Sequence, residues 1–262
     1  MKKIECIIMD WAGTAVDYGC FAPVAAFMEA FAEKGLSIDV VQTRKPMGLP
    51  KIQHIRELLS MPEVNEQFVN RYQRTWTEED VAGLNLLFEK HLFASLENYT
   101  DPISGVIPTL DKLRSEGLKI GSTTGYTREM MEVVLPAAQA KGYRVDYCAT
   151  PNRLPAGRPA PYMIFENMIK LAVPCLDTVV KVGDTIADIK EGVNAKVWSV
   201  GVVLGSNEMA LTEEETKALP AAELESRIEG VTERMLAAGA SYVIRTMEEL
   251  PALIETINAR LD

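Results

Sequence analysis

Histidine is scarce in this chain, with two in 262 residues, and the four cysteines, Cys6, Cys20, Cys148 and Cys175, lie far apart with no CxxC pair. Neither a zinc centre nor a disulfide framework is expected, and the thiols read as free, in a reducing compartment. Basic residues are in deficit as well: 27 Lys and Arg stand against 37 Asp and Glu, leaving a net charge of -10. A nucleic-acid surface needs clustered cations along a phosphate backbone, and no basic run appears, so that partner class is excluded. The roughly eighteen uninterrupted apolar residues of a membrane span are also missing. The opening MKKIECIIMD has a charged start and a short apolar run that stops at Asp10 without a cleavage-like site, so it reads as a first strand rather than a leader. Hydrophobic residues, by contrast, make up 47% of the chain, enough to bury a full core. The expectation is a cytoplasmic protein that acts on a small molecule.

Apolar runs of strand length recur at 4–9, 118–122, 145–149, 178–182, 198–204 and 242–244, mostly alternating with helical patterns. That alternation predicts parallel strands joined by crossover helices, an α/β core. The interval 21–99 breaks the rhythm with successive helical patterns at 24–34, 50–59, 63–76 and 78–96. It reads as a helical domain inserted into a discontinuous core made of residues 1–20 and 100–262. Pro23 and Pro50 suit first helical turns, Thr77 precedes Glu78, Glu79 and Asp80 as a cap, and Gly35 and Gly117 stand where helices should stop. Beyond Gly205 the spacing predicts helices at 212–219 and 222–238, a strand and a closing helix, with Glu213 to Glu215 as a solvated helix start.

Open α/β sheets bind ligands at the carboxyl ends of their strands. The first strand delivers Asp10 there, in Asp10-Trp11-Ala12-Gly13-Thr14, and a later one delivers Gly183-Asp184-Thr185-Ile186-Ala187-Asp188. By position alone a strand-ending Asp is also a common helix cap or turn former. Two acidic strand ends on one edge, however, can share a hard cation such as Mg²⁺. Between them, Thr123-Thr124-Gly125 offers hydroxyls and backbone N–H groups to a phosphate, and Arg158, in Gly157-Arg158-Pro159, offers a cation on a stiff loop.

In this order the four segments resemble the motif set of the haloacid dehalogenase superfamily. The resemblance implies a Rossmann-like parallel sheet carrying an inserted helical cap. It also implies that Asp10 is a nucleophile, that Asp184 and the backbone carbonyl of Ala12 join it in holding Mg²⁺, and that Thr124 contacts a phosphoryl group. Asp188 would stand behind the metal ligands as their partner. One departure is informative: phosphatases of the superfamily usually carry a second aspartate two positions after the nucleophile, as general acid for an oxygen leaving group, and this chain has Ala12 there.

The segment Arg44-Lys45-Pro46-Met47-Gly48-Leu49-Pro50-Lys51-Ile52-Gln53-His54 narrows the resemblance to the phosphonatase family, the phosphonoacetaldehyde hydrolases. So do Val16-Asp17-Tyr18-Gly19-Cys20-Phe21-Ala22-Pro23 and Thr123-Thr124-Gly125-Tyr126-Thr127-Arg128, although Ala15 stands where Thr is expected. The family implies that Lys51 forms an imine with the aldehyde of phosphonoacetaldehyde, giving the carbon–phosphorus bond an electron sink when it breaks. Closure of the cap would bring Lys51 to Asp10 and exclude water. Thr124, Gly125, Tyr126 and Arg158 would bind the phosphonate, Cys20, Met47, Gly48 and Tyr126 would line the pocket, and His54 would relay protons or hold an orienting hydrogen bond. A homodimer is implied too. Read without the family, Lys51 is a charge in the first turn of a surface helix, His54 a partly exposed histidine, and Cys20, Met47, Met130 and Met131 packing residues. A phosphate-ester phosphatase or mutase of the same superfamily, a silent phosphate-binding protein and a dehalogenase remain as alternatives.

Overall fold

Strand β1, Cys6–Met9, carries no charged side chain and is buried at every position, which suits the middle of a parallel sheet covered on both faces. The computed structural model describes residues 2–47 and 51–261. These divide into two units, Met1–Cys20 with Thr100–Asp262, and Phe21–Tyr99. In chain order β1 is followed by the helices of the second unit: α1 (Ala22–Glu33), α2 (Val40–Arg44), α3 (Lys51–Ser60), α4 (Pro62–Tyr72) and α5 (Glu78–Ser95). The first unit then resumes with α6 (Val106–Ser115), β2 (Lys119–Thr123), α7 (Arg128–Ala140), β3 (Tyr147–Ala149), α8 (Tyr162–Lys170), β4 (Val179–Gly183), α9 (Ile186–Ala195) and β5 (Trp198–Val202). It closes with α10 (Glu213–Ala218), α11 (Ala221–Ala237), β6 (Tyr242–Ile244) and α12 (Leu250–Leu261).

The six strands form one parallel sheet in the order β3-β2-β1-β4-β5-β6. The chain winds outward from β1 in one direction, then returns to its other side at β4, so the strand order reverses between β1 and β4. The crevice outside the carboxyl ends at such a switch point is where open α/β sheets bind ligands. Register makes this concrete. Met9 pairs with Ser122 on one side and Val182 on the other, so Asp10, Thr123 and Gly183 leave their strands at one level. The α/β fold class expected from the apolar runs is the observed one, with strand ends mostly drawn in: the runs at 4–9 and 198–204 shorten to Cys6–Met9 and Trp198–Val202.

The second unit is built on buried Phe27, Phe31, Ile55, Leu58, Phe88 and Leu92, recurring at helical spacing on α1, α3 and α5. Phe27 stacks on Phe88 with ring centroids 4.1 Å apart, and on its other neighbour His54 at 4.0 Å. Two local outcomes differ from the sequence expectation. The helix expected over 63–76 ends at Tyr72, because Gln73 turns left-handed (φ 55°) and donates its N–H to Val69 O at 2.8 Å. Helix α2, absent from the expectation, is nucleated by Asp39, whose carboxylate accepts from Gln42 N–H at 2.7 Å while the Gln42 side chain accepts from Asp39 N–H at 3.0 Å. A reciprocal cap offsets the cost of a single-turn nucleus.

His54 is fully buried, its ring stacked on Phe27. Burial, reinforced by the positive charge of Lys51, pushes its pKa down to about 3. The folded ring is therefore neutral where an unfolded histidine, with a pKa of 6.5, takes up a proton. Stability from this residue is complete above the unfolded value and drains as pH falls through the window toward 3. The wild type should lose stability between about pH 7 and pH 5 faster than His54→Phe, by at most about 1.4 kcal/mol per pH unit; calorimetric scans with equal pH slopes would refute this.

Candidate active site

The carboxyl edge at the switch point gathers a buried charge cluster. Asp10 follows β1, Asp184 follows β4, and Asp188 and Glu191 lie one turn apart on α9, all four nearly or fully inaccessible to solvent. Arg158, from the loop before α8, reaches three of them. Its Nη2 donates to Asp10 Oδ1 at 2.5 Å, its Nη1 lies 2.8 Å from Asp188 Oδ1, and its Nε donates to Glu191 Oε2 at 3.2 Å. Lys181, buried inside β4, donates to Asp188 Oδ1 at 2.8 Å and sits 3.6 Å from Glu191. Thr123 ties the group together, its hydroxyl donating to Glu191 Oε2 at 3.0 Å and accepting from Arg158 at 2.8 Å.

Asp184 stands on the other side of Asp10. Its Oδ1 accepts from the Thr14 hydroxyl at 3.2 Å and its Oδ2 from the Asn207 N–H at 2.7 Å. Gly13 (φ 86°) is required beneath it, because a Cβ there would overlap the Asp184 carboxylate. Asp188 is anchored by α9's own start, where the Thr185 hydroxyl donates to Asp188 Oδ2 at 2.5 Å. Carboxylate oxygens of Asp10, Asp184 and Asp188 lie within 4.8 Å of one another, a group able to hold a metal ion.

The electrostatics follow from this geometry. Burial raises the pKa of Asp10 against the pull of Arg158, and burial together with the charges of Asp10 and Asp188 raises that of Asp184 well above the usual carboxylate range. Burial opposes ionisation of Asp188 too, yet Arg158 and Lys181 outweigh it and hold this carboxyl low. Arg158 and Lys181 face Asp10, Asp188 and Glu191, and Asp184 adds a fourth carboxyl, so carboxyls outnumber cations around an all-oxygen donor set. That combination fits a hard divalent cation.

The remaining predicted residues fall as follows. Thr124 is buried in the loop after β2, its hydroxyl accepting from Tyr126 N–H at 3.0 Å, with Gly125 exposed and open space around it. Ala12 sits in the turn between Asp10 and Gly13, half-buried. Cys20 is half-buried and left-handed (φ 56°), donating its N–H to Asp17 O at 2.8 Å. Met47, Lys51 and His54 belong to the helical unit; Met47 is half-buried, and the Lys51 amine lies 5.6 and 5.5 Å from the Phe27 and Phe88 ring centroids. Gly48, and Pro50 at the expected helix start, lie outside the described residues. The sequence reading missed Lys181, Glu191 and Thr14, and it offered the Thr123 hydroxyl to a phosphate where the structure engages it with Glu191 and Arg158. Signals for two of them were present: Lys181 is the one charge in an otherwise apolar strand, and Glu191 follows Asp188 by three residues, on the same face of a helix.

A family model described as haloacid dehalogenase-like hydrolase matches residues 4–196, and with this site and fold the chain belongs to that hydrolase class. A phosphonoacetaldehyde hydrolase of Bacteroides fragilis is 85% identical over 262 residues, covering 100% of both chains, and one of Parabacteroides distasonis is 64% identical over 261 residues, covering 99% of each. A solved phosphonoacetaldehyde hydrolase-like protein from Oleispira antarctica superposes with a TM-score of 0.91 at 35% identity, covering 99% of this chain and 94% of that one. Within its class, then, the chain belongs to the phosphonoacetaldehyde hydrolase family.

Gly13 offers a test of the cluster. Gly13→Ala combines a left-handed backbone, costing about 1 kcal/mol, with displacement of Asp184. Calorimetric titration with Mg²⁺ should show affinity reduced at least about tenfold, the scale of losing support to a metal ligand, while circular dichroism keeps the wild-type helix content. Unchanged affinity would remove Asp184 from the cation site.

Proposed function

We propose that this chain hydrolyses the carbon–phosphorus bond of phosphonoacetaldehyde, releasing acetaldehyde and inorganic phosphate. The observation that carries the reading is the pairing of a strand-end nucleophile with an apolar Ala12 two residues later. An ester phosphatase would need a proton donor at that place for its oxygen leaving group. A carbon leaving group needs an electron sink instead, and Lys51, in the motif shared with the family, can provide one.

The Lys51 amine adds to the aldehyde and expels water, forming an imine. Its protonated form accepts the electron pair of the carbon–phosphorus bond as the Asp10 carboxylate takes the phosphoryl group, leaving an enamine on Lys51 and an aspartyl phosphate on Asp10. Water cleaves the aspartyl phosphate to phosphate and free Asp10. Proton uptake at carbon turns the enamine back into an imine, and water releases acetaldehyde and the amine. Arg158 and the Thr124 loop would bind the phosphonate oxygens, with Tyr126 and Gly125 beside them; Cys20, Met47 and Gly48 are the residues that the family resemblance implies for the aldehyde end. His54, kept neutral by burial, serves as an orienting ring beside Lys51 rather than as a proton carrier at neutral pH.

Asp10, Asp184 and the Ala12 carbonyl would hold Mg²⁺, with Asp188 fastening the arrangement from behind; the ion would supply positive charge to phosphoryl oxygens and to the carboxyl-rich cluster. Four free thiols fit a reducing cytoplasm. No described helix is long and apolar enough to cross a membrane.

Acetaldehyde and phosphate release should be Mg²⁺-dependent, and Lys51→Arg should lower kcat at least about a hundredfold, because arginine stays protonated and forms no imine. Borohydride added with the substrate should fix a two-carbon adduct on Lys51, read by mass spectrometry. Equal turnover by the variant would sink the imine route, and activity confined to phosphate esters would return the phosphatase reading.

We also read the chain as a homodimer joined through α5, where Leu86 and Phe93, seven residues apart on one helical face, are 67% and 38% exposed. Light scattering should give twice the chain mass, and Leu86→Glu with Phe93→Glu should give one; a monomeric wild type would overturn the assignment.

A further inference from the structure

Arg158 has several polar contacts, and only one of them is to the nucleophile. A guanidinium presents five N–H donors in a rigid plane, so fixing two edges of the plane fixes where the third points. Here Asp188 holds Nη1 and Glu191 holds Nε, while Nη2 is left to Asp10 and the Thr123 hydroxyl. Glu191 and Thr123 are also bonded to each other, at 3.0 Å. Lys181 completes the arrangement by sharing Asp188 and Glu191. Without that second cation, two buried carboxylates would compete for one guanidinium, and an unpaired charge in the interior costs far more than a paired one.

We propose that Glu191 and Thr123 are positioning residues: together they lock the plane of Arg158 so that its Nη2 edge faces the place where Asp10 meets a phosphoryl group. Lys181 is the second cation shared by Asp188 and Glu191 behind the guanidinium. Neither Glu191 nor Lys181 reaches the substrate in this scheme; both act through Arg158. The inference rests on the proposed role of Arg158 as a phosphoryl contact.

Electrostatics alone and positioning make opposite demands, which allows a clean test. Removing the negative charge of Glu191 strengthens Coulomb attraction for an anion, whereas loss of a fixed guanidinium weakens its binding. The probe is inorganic phosphate, titrated calorimetrically in Mg²⁺ into the wild type, Glu191→Gln, Thr123→Val, Arg158→Lys and the two double variants, with melting temperatures alongside. Glu191→Gln should weaken phosphate about tenfold, the scale of one hydrogen bond to a charged group, and Thr123→Val should weaken it in the same direction if Glu191→Gln fails to fold. In the Arg158→Lys background both losses should vanish, because lysine offers no Nε–H or plane to be held. Unchanged or tighter phosphate binding in Glu191→Gln, or the same loss with Arg158 already replaced, would overturn the proposal. Substrate turnover by the wild type is read separately, so failure of the proposed reaction would show itself there, while the phosphate cycle would still decide whether Arg158 is positioned.

Discussion

One guanidinium shared by three buried carboxylates organises the carboxyl edge of this protein's sheet. Taking charges out of water is expensive, and the loss is recovered only when opposite charges meet at hydrogen-bonding distance with their remaining donors and acceptors satisfied. Arg158 meets that condition by reaching Asp10 after β1 and Asp188 and Glu191 on α9, so a loop, a central strand and a crossover helix are tied at a single point. Lys181 extends the tie into β4. Losing one member leaves a buried charge without a partner, so the cluster behaves as a unit.

The cluster's imbalance is what makes it chemically useful. Asp10 and Asp184 are pressed together by the register of β1 and β4, with a glycine at position 13 that leaves room for the Asp184 carboxylate. Burial and mutual repulsion disfavour full ionisation there. A hard divalent cation relieves both. The absence of a carboxylate at position 12 then bears on the leaving group of the proposed reaction, in which Asp10 is the nucleophile and position 12 offers no proton donor. In the proposed reaction the helical unit supplies the missing chemistry as an amine, Lys51, set near the stacked rings of Phe27 and Phe88.

Much of the fold was legible because its signals are local. Runs such as Cys-Ile-Ile-Met suit burial on both faces as inner parallel strands, and caps such as Thr77 with Asp80 announce where helices begin. Misreadings arose where a short-range pattern was overruled by a single backbone choice, as at Gln73, or where a helix was too short to show a period, as at Val40–Arg44.

By itself, then, the sequence determined the parallel α/β class, the positions at which carboxylates, threonines and a cation leave the strands, and the lack of an acid at position 12. Those depend on residue type, spacing and chain direction, all of which are read along one dimension. Only the tertiary structure decided that Glu191 and Lys181 complete the hold on Arg158, that Thr14 and Asn207 orient Asp184, and that His54 is buried and stacked rather than partly exposed. These contacts join residues as much as 170 positions apart, and which edge of a guanidinium meets which oxygen depends on strand register and helix rotation together, a relation no local pattern contains.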